Sequence, residues 1–374
     1  MTIAVDKTGL EKGESNVIDV FIKEIFIRLT ARHPDDNFIL ISEHAAAKCQ
    51  SQSLNVSSII ATDIANTFIK KAFGNRLNIS RILKKYNTQI LVSSQYFPIK
   101  KIPQCFILPE GSFRFSAEPG NKRQFICLNK NTERAVKKAN LIICFSEFTK
   151  TLTIEKYNLS SDKIQVVHPG SNVLYDPVST EERERIKEEY SGGFEYFIFS
   201  GKISSANNII HLLKGFSGFK KRQKSSMKLI LASTFPISDE GFKKSFSLYR
   251  FKEEVVLLPG LTENEIAKIT SAAYATIFPA FTCESVMELP NSMREQVPVI
   301  ASQQEPFPEF CGEAALYFDD NSSEDIALKM MDIFKNEDLR KSIIEKGNTQ
   351  LEKFSWEIAS ETFWNRLNKL IKDL

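Results

Sequence analysis

The sequence predicts an α/β protein built from two doubly wound domains of parallel strands. Three observations carry that expectation. Short β-rich runs are flush with apolar residues on both faces, amphipathic helical stretches separate them, and the pattern pauses and begins again near the middle of the chain. Strands that are apolar on both faces belong to parallel sheets covered by helices, whereas a half-exposed antiparallel strand alternates. The length of 374 residues fits two domains on the usual scale of roughly 100–200 residues each.

The first half opens with TIAVD (2–6), the amphipathic helix VIDVFIKEIFIRLTARH (17–33) and the strand NFILIS (37–42). TQILVSS (88–94), QCFIL (104–108) and NLIICFS (140–146) continue the series. The segment HPGSNVLYDPVSTEERERIKEEYSGG (168–193) combines Pro, Gly, Ser and a charged helical run, as domain boundaries do. Behind it come YFIFSG (196–201), a helix to Lys221, KLILAS (228–233), a helix, and VVLLPG (255–260). A helix from Thr262, YATIFPA (274–280), a short helix and VPVIAS (297–302) complete the second unit. Residues 323–374 read as helical throughout, with Trp356 and Trp364 as core residues of a terminal amphipathic helix. The expected domains are 1–170, 171–355, and a terminal helix 356–374 that packs back on the first.

Composition excludes several classes. Hydrophobic residues at 42% and charged residues at 25% are ordinary globular usage, which excludes a largely disordered chain. A net charge of +3 is too small to argue for nucleic acid. The six cysteines, at 49, 105, 127, 144, 283 and 311, show no CxxC pairing and no histidine partners. They read as buried thiols in a reducing compartment, and no zinc site is expected. The start MTIAVDKTG has no basic region leading into an apolar one, and no window approaches 18 uninterrupted apolar residues, so a cytoplasmic protein is expected. No Ser-His-Asp or metal-ligand spacing appears; His168 precedes the Pro-Gly of the crossing segment, and His211 sits inside a helix.

Ligands of open parallel sheets bind outside the carboxyl ends of the strands, so the residues after FIFS, LLP, IFPA and VIAS are the first candidates for a site. Those residues carry a resemblance. ANLIICFSEFTK (139–150), KIQVVHPGSN (163–172), FIFSGKISSANNIIHLLKGF (197–216), FTCESVMELPNSMREQVPVIASQQEPFPEFCGEAALYFDD (281–320) and KFSWEIASETFWNRL (353–367) stand in one order. That order resembles the retaining glycosyltransferases of family 4, the glycosyl transferases group 1. The resemblance covers roughly the last 235 residues and implies the GT-B fold, with two Rossmann-like domains facing a cleft. It implies transfer of a sugar from a nucleotide-sugar donor to a glycan or lipid-linked acceptor, with retention, in cell-surface polysaccharide synthesis. No metal or other cofactor is expected.

The resemblance also assigns roles. A nucleotide sugar carries a diphosphate whose negative charge grows as the glycosidic bond breaks, so the site needs cations and backbone N–H groups there. The family supplies an Arg and a Lys; this chain has Gly201-Lys202 at the first place, and Asn207, or Asn208 after a slip of one, at the second. Of the family's two carboxylates, Glu284 fits the one near the donor-sugar hydroxyls. The one on the ribose diol falls on Asn291 or Ser292, while Glu295 serves only if the helix register shifts and otherwise lies on a solvent-exposed face. Ser285, Val286 and Met287 are expected to present N–H groups to the phosphates, with Pro290 in the first helical turn. A glutamine, Gln296, stands where the family has a glycine.

In the first domain, Gly9 and Gly13 can form the acceptor loop. After QCFIL the family's histidine is replaced by Pro109-Glu110-Gly111, leaving Glu110 as the ionisable group. The basic stretch FIKKAFGNRLNISRILKKY (68–86) contains no acid and is a candidate contact with the inner face of an anionic membrane. The replaced side chains leave a second reading open, in which the chain is a catalytically silent GT-B homologue acting as a binding or assembly subunit.

Overall fold

The computed structural model describes residues 1–7, 17–42, 55–60, 76–99, 101–108, 110, 113–116, 124–127, 130–280 and 286–373. The chain divides into two compact units: Met1–Pro169 with Trp356–Leu374, and Gly170–Ser355.

The first unit runs β1 (Thr2–Asp6), α1 (Val17–Arg32), β2 (Asn37–Ser42), β3 (Val56–Ile60), α2 (Arg76–Lys85), β4 (Ile90–Ser93) and β5 (Gln104–Ile107). It continues with β6 (Phe113–Ser116), β7 (Gln124–Cys127), α3 (Lys130–Lys138), β8 (Leu141–Cys144), α4 (Glu147–Tyr157) and β9 (Ile164–Val166). Seven strands form a sheet in the order β3-β2-β1-β4-β5-β8-β9, parallel at every described pairing. β6 and β7 pair antiparallel as a separate hairpin. α1 buries Ile18, Phe21, Ile22, Ile25, Phe26 and Leu29, the three-and-four spacing of one helical face.

The second unit runs α5 (Thr180–Ser191), β10 (Tyr196–Ser200), α6 (Ile209–Gln223), β11 (Lys228–Ser233), α7 (Glu240–Ser247), β12 (Val255–Pro259) and α8 (Glu263–Ser271). Next come β13 (Ala275–Phe278), α9 (Glu288–Arg294), β14 (Val299–Ser302), α10 (Phe307–Cys311), β15 (Ala315–Phe318), α11 (Ser323–Lys335) and α12 (Glu337–Leu351). Its parallel sheet has the order β12-β11-β10-β13-β14-β15. Period-two alternation sorts the strand side chains onto the two faces: Phe197, Phe199, Leu229 and Leu231 join one buried cluster, while Tyr196, Ile198, Ile230 and Ala232 join the other. α6 and α11 approach closely enough that a Cβ at Gly215 would meet Ile326 Cγ2 at 2.7 Å, so only glycine fits there.

The terminal helix α13 (Trp356–Lys372) belongs to the first unit. Its buried residues Trp356, Ala359, Ser360, Phe363, Trp364 and Leu367 form one stripe. Phe363 packs edge-on against Phe21 and Phe26, and the Trp364 ring stacks on His33 with centroids 3.8 Å apart. Arg28 joins the two helices through its ion pair with Glu357 at 2.9 Å.

The helical tail is not continuous. Asn336 closes α11 and caps α12 by accepting a hydrogen bond from Leu339 N, and residues 352–355 separate α12 from α13. Thr262 is the cap of α8, forming a capping box with Glu265. Among the described residues no helix is long and apolar enough to cross a membrane.

Candidate functional site

β10 lies between β11 and β13, where the strand order of the second sheet turns back, and its carboxyl end is therefore where a ligand is expected. The chain leaves β10 through Gly201 at φ +142°, a conformation that favours glycine, and Gly201 N donates to Ala232 O at 3.0 Å. Lys202 follows. It is exposed, and among the described residues its ammonium has no ion-pair partner. The turn that carries it is held from behind, because Asn207 Nδ2 donates to the Lys202 carbonyl at 2.8 Å.

Asn207, expected to face the donor, is thus turned inward with only 6% of its surface exposed. Asn208, its alternative, adopts φ +59°, is buried, and donates to Asp320 O at 2.8 Å. Both amides serve the fold of the turn.

The other face of the site is α9. Val286 and Met287 are buried immediately before it, and Pro290 lies in its first turn. Glu284 and Ser285, along with Gly9 and Gly13, lie outside the described residues. Asn291 is buried, and its Oδ1 accepts from Asn172 N at 2.9 Å. Its side chain also bonds Tyr175, so α9 anchors the segment that enters the second unit. Arg294 reinforces this anchor through Asp176 at 2.7 Å.

Glu295 overturns the expectation of a solvent-exposed helix residue. It is 0% exposed, and neither carboxylate oxygen has a hydrogen-bond partner among the described residues. Burial pushes its carboxyl well above the ordinary range, and the charge of Glu288 adds to that shift. Its carboxyl is enclosed inside the unit. Gln296 takes φ +59° directly after it, the backbone geometry that a glycine would accept without strain.

Two residues at this end of the sheet were not singled out by the sequence. Ser200, the last residue of β10, donates its hydroxyl to Glu288, the first residue of α9. Burial raises the half-buried Glu288 carboxyl to about 7; the Ser200 hydrogen bond opposes the shift and Glu263 adds to it. The available signal was spacing, since Glu288 and Glu295 are two helical turns apart and so on one face of α9.

In the first unit, Glu110 is buried at the carboxyl end of β5. It accepts from Ser146 Oγ at 2.8 Å and Thr149 Oγ1 at 2.5 Å. Ser146 caps α4 through Thr149 N, so Glu110 is part of the junction between β5 and the start of that helix. His168 is half-buried. His211 is half-buried within α6, where burial and Lys214 lower its pKa.

Only the last part of the 68–86 stretch is described. It is α2, which buries Ile79, Ile82 and Leu83 against Ile39, Ile41 and Leu91 while Arg81, Lys84 and Lys85 are exposed. The described Cys105, Cys144 and Cys311 are buried thiols outside any disulfide. Among the described residues no group of His, Cys, Asp and Glu is arranged to hold a metal ion.

Residues 180–350 match the family model described as Glycosyl transferases group 1. O-antigen chain mannosyltransferase B of Escherichia coli is 22% identical over 231 residues, covering 62% of this chain and 61% of that protein. O-antigen chain mannosyltransferase RfbU of Salmonella typhimurium is 25% identical over 197 residues, covering 52% of each. The chain thus spans between half and two thirds of the length of these relatives.

Among solved structures, a glycosyltransferase from Rickettsia africae ESF-5 has a TM-score of 0.75 at 16% identity, with 100% of this chain and 99% of that chain covered. Anabaena Alr3699/HepE in complex with UDP-glucose has a TM-score of 0.75 at 11% identity, with 99% and 100% covered. The two parallel-sheet units therefore share the fold of the GT-B glycosyltransferases, and residues 180–350 match the glycosyl transferases group 1 model.

Proposed function

We propose that this protein is a glycosyltransferase that moves a sugar, with retention, from a nucleotide-sugar donor to a glycan or lipid-linked acceptor in cell-surface polysaccharide synthesis. The observation that carries the reading is Lys202: an exposed cation without an ion-pair partner among the described residues, set by Gly201 at the mouth of β10 and inside the matched family region. A cation there meets the charge that accumulates on a leaving diphosphate. Glu284 holds donor-sugar hydroxyls, and the amides of Ser285, Val286 and Met287 share the phosphate. The reaction needs no metal. The work is cytoplasmic, at the inner membrane face, with 68–86 as one contact. The O-antigen mannosyltransferase relatives support the polysaccharide setting, and the UDP-glucose complex of the Anabaena neighbour supports the donor class.

The test is turnover of a panel of nucleotide sugars by purified protein, with the anomeric configuration of the product read by NMR. Glu284→Gln should lower transfer at least roughly tenfold, because bonds to the donor hydroxyls tighten as charge develops. Undiminished turnover in that variant removes Glu284 from the mechanism. An inverted product removes retention.

The inward Asn207 favours a second reading, in which the second cation is gone because the site no longer turns over. Calorimetry that finds no binding of any nucleoside diphosphate would favour the silent binding or assembly subunit over the enzyme.

A further inference from the structure

A groove of ≈ 770 Å³ runs between α6, α11 and the segment after α7. None of the expected donor residues lines it. Its floor is apolar, with Ile210, Leu213 and Ala327, and the small Ser217 and Gly218 leave the middle of the α6 face without bulk. Its rim is strongly basic: Lys214, Lys221, Arg222 and Arg250 line it against a single carboxylate, Glu324. Glu324 is already paired with Arg222 at 2.7 Å. Lys214, Lys221 and Arg250 have no ion-pair partner among the described residues.

Leu248 stands on the same rim with 82% of its surface exposed, the most of any large apolar side chain among the described residues. Its position is fixed by its neighbours. Tyr249 donates its hydroxyl to Leu213 O at 2.7 Å and accepts from Ser217 Oγ at 2.9 Å, and its ring continues a stack through Phe246 to Phe242. The fold therefore holds an apolar side chain in water beside three unneutralised cations.

We propose that this groove docks the protein on an anionic phospholipid surface. Lys214, Lys221 and Arg250 engage lipid phosphates, and Leu248 enters the headgroup layer. A bare cationic groove would suit any soluble phosphate, but a soluble anion gives no reason for a leucine left 82% exposed on its rim. A bilayer surface provides both an anionic layer and an apolar one. The proposal goes beyond sugar transfer and assigns a contact separate from the 68–86 stretch.

The test is co-sedimentation of the full-length protein with phosphatidylcholine vesicles, with and without phosphatidylglycerol. Binding should require phosphatidylglycerol and weaken as salt is added. Lys221→Ala with Arg250→Ala should lower partitioning roughly thirtyfold, from about fivefold per cation near an anionic surface. Leu248→Ser should lower it about tenfold, the scale of an apolar side chain leaving the interface. All three positions line an open rim, so the thermal midpoints should match wild type.

Vesicle binding by these variants at wild-type strength overturns the proposal. So does loss of binding in Lys84→Ala/Lys85→Ala while the groove variants bind normally, which moves the contact to 68–86. Competition by glycerol phosphate or polyglutamate with no effect of Leu248→Ser assigns the groove to a soluble anion or an acidic peptide. Transfer to a soluble acceptor should be unchanged in the groove variants, so the docking surface and the transferase reading fail separately.

Discussion

Lys202 and Glu110 occupy similar places in different sheets, each just past the carboxyl end of an interior strand, and the fold treats them in opposite ways. Glu110 is buried, and its two oxygens accept from Ser146 and Thr149 at the start of α4. Lys202 is exposed, while the backbone beneath it is held by Asn207. A charged group whose bonds are met inside the fold acts as a joint. One whose backbone is fixed and whose charge is unmet is ready for a ligand. Strand-end position alone does not separate the two; hydrogen-bond accounting does.

The largest effect expected from this contrast is on stability. Glu110→Ala removes the acceptor from two hydroxyls, and hydrogen bonds to charged groups contribute about 1.5–3 kcal/mol each, so unfolding in urea should come easier by about 3 kcal/mol. Nucleotide affinity should not change. A variant that stays stable but loses transfer would make Glu110 a site residue and break the contrast.

Lys202→Ala should do the reverse. Stability stays level, and calorimetry should show a nucleoside diphosphate bound more weakly by about 2 kcal/mol while the free nucleoside is barely affected. Equal losses for both ligands would make Lys202 an ordinary surface lysine.

The smallest effect concerns α9. The folded carboxyl of Glu288 titrates at about 7 against 4.5 when unfolded, so between these values the folded state binds more protons. Its contribution to stability is therefore complete below pH ~4.5 and is lost as pH rises toward ~7. Allowing for the solvent that reaches this half-buried group, the loss is on the order of 1 kcal/mol. Denaturation of wild type and Glu288→Gln at several pH values should show a shallower decline in the variant, with the remainder due to Glu295, whose raised pKa acts in the same direction. Identical slopes would show that Glu288 titrates alike in the folded and unfolded protein.

The sequence read well wherever burial acts along the chain itself. TIAVD, NFILIS, YFIFS and KLILAS are strands because each is apolar on both faces, and the sheets bury them so. β3 was missed because VSSII carries two serines on an edge strand, and β9 because three residues show no period. Lys202 could be found from its place after a strand and a glycine. The inward roles of Glu110 and Asn291 could not, because their partners come from 36, 39 and 119 residues away. Glu295 was misread for a related reason. α9 is enclosed on several sides, with Leu289, Pro290, Asn291, Ser292 and Met293 all buried, so its polar residues do not mark a solvent face.

The stacking of Trp364 on His33 has a practical consequence. The chain contains two tryptophans, and both Trp356 and Trp364 lie on α13, within the first unit. Tryptophan emission is thus an optical reporter of that unit alone, and the second unit is dark to it. Circular dichroism sees the helices and strands of both. Following one denaturation by the two signals would therefore measure directly whether the units melt together: superimposed curves mean one cooperative system, and separated curves would show which unit gives way first.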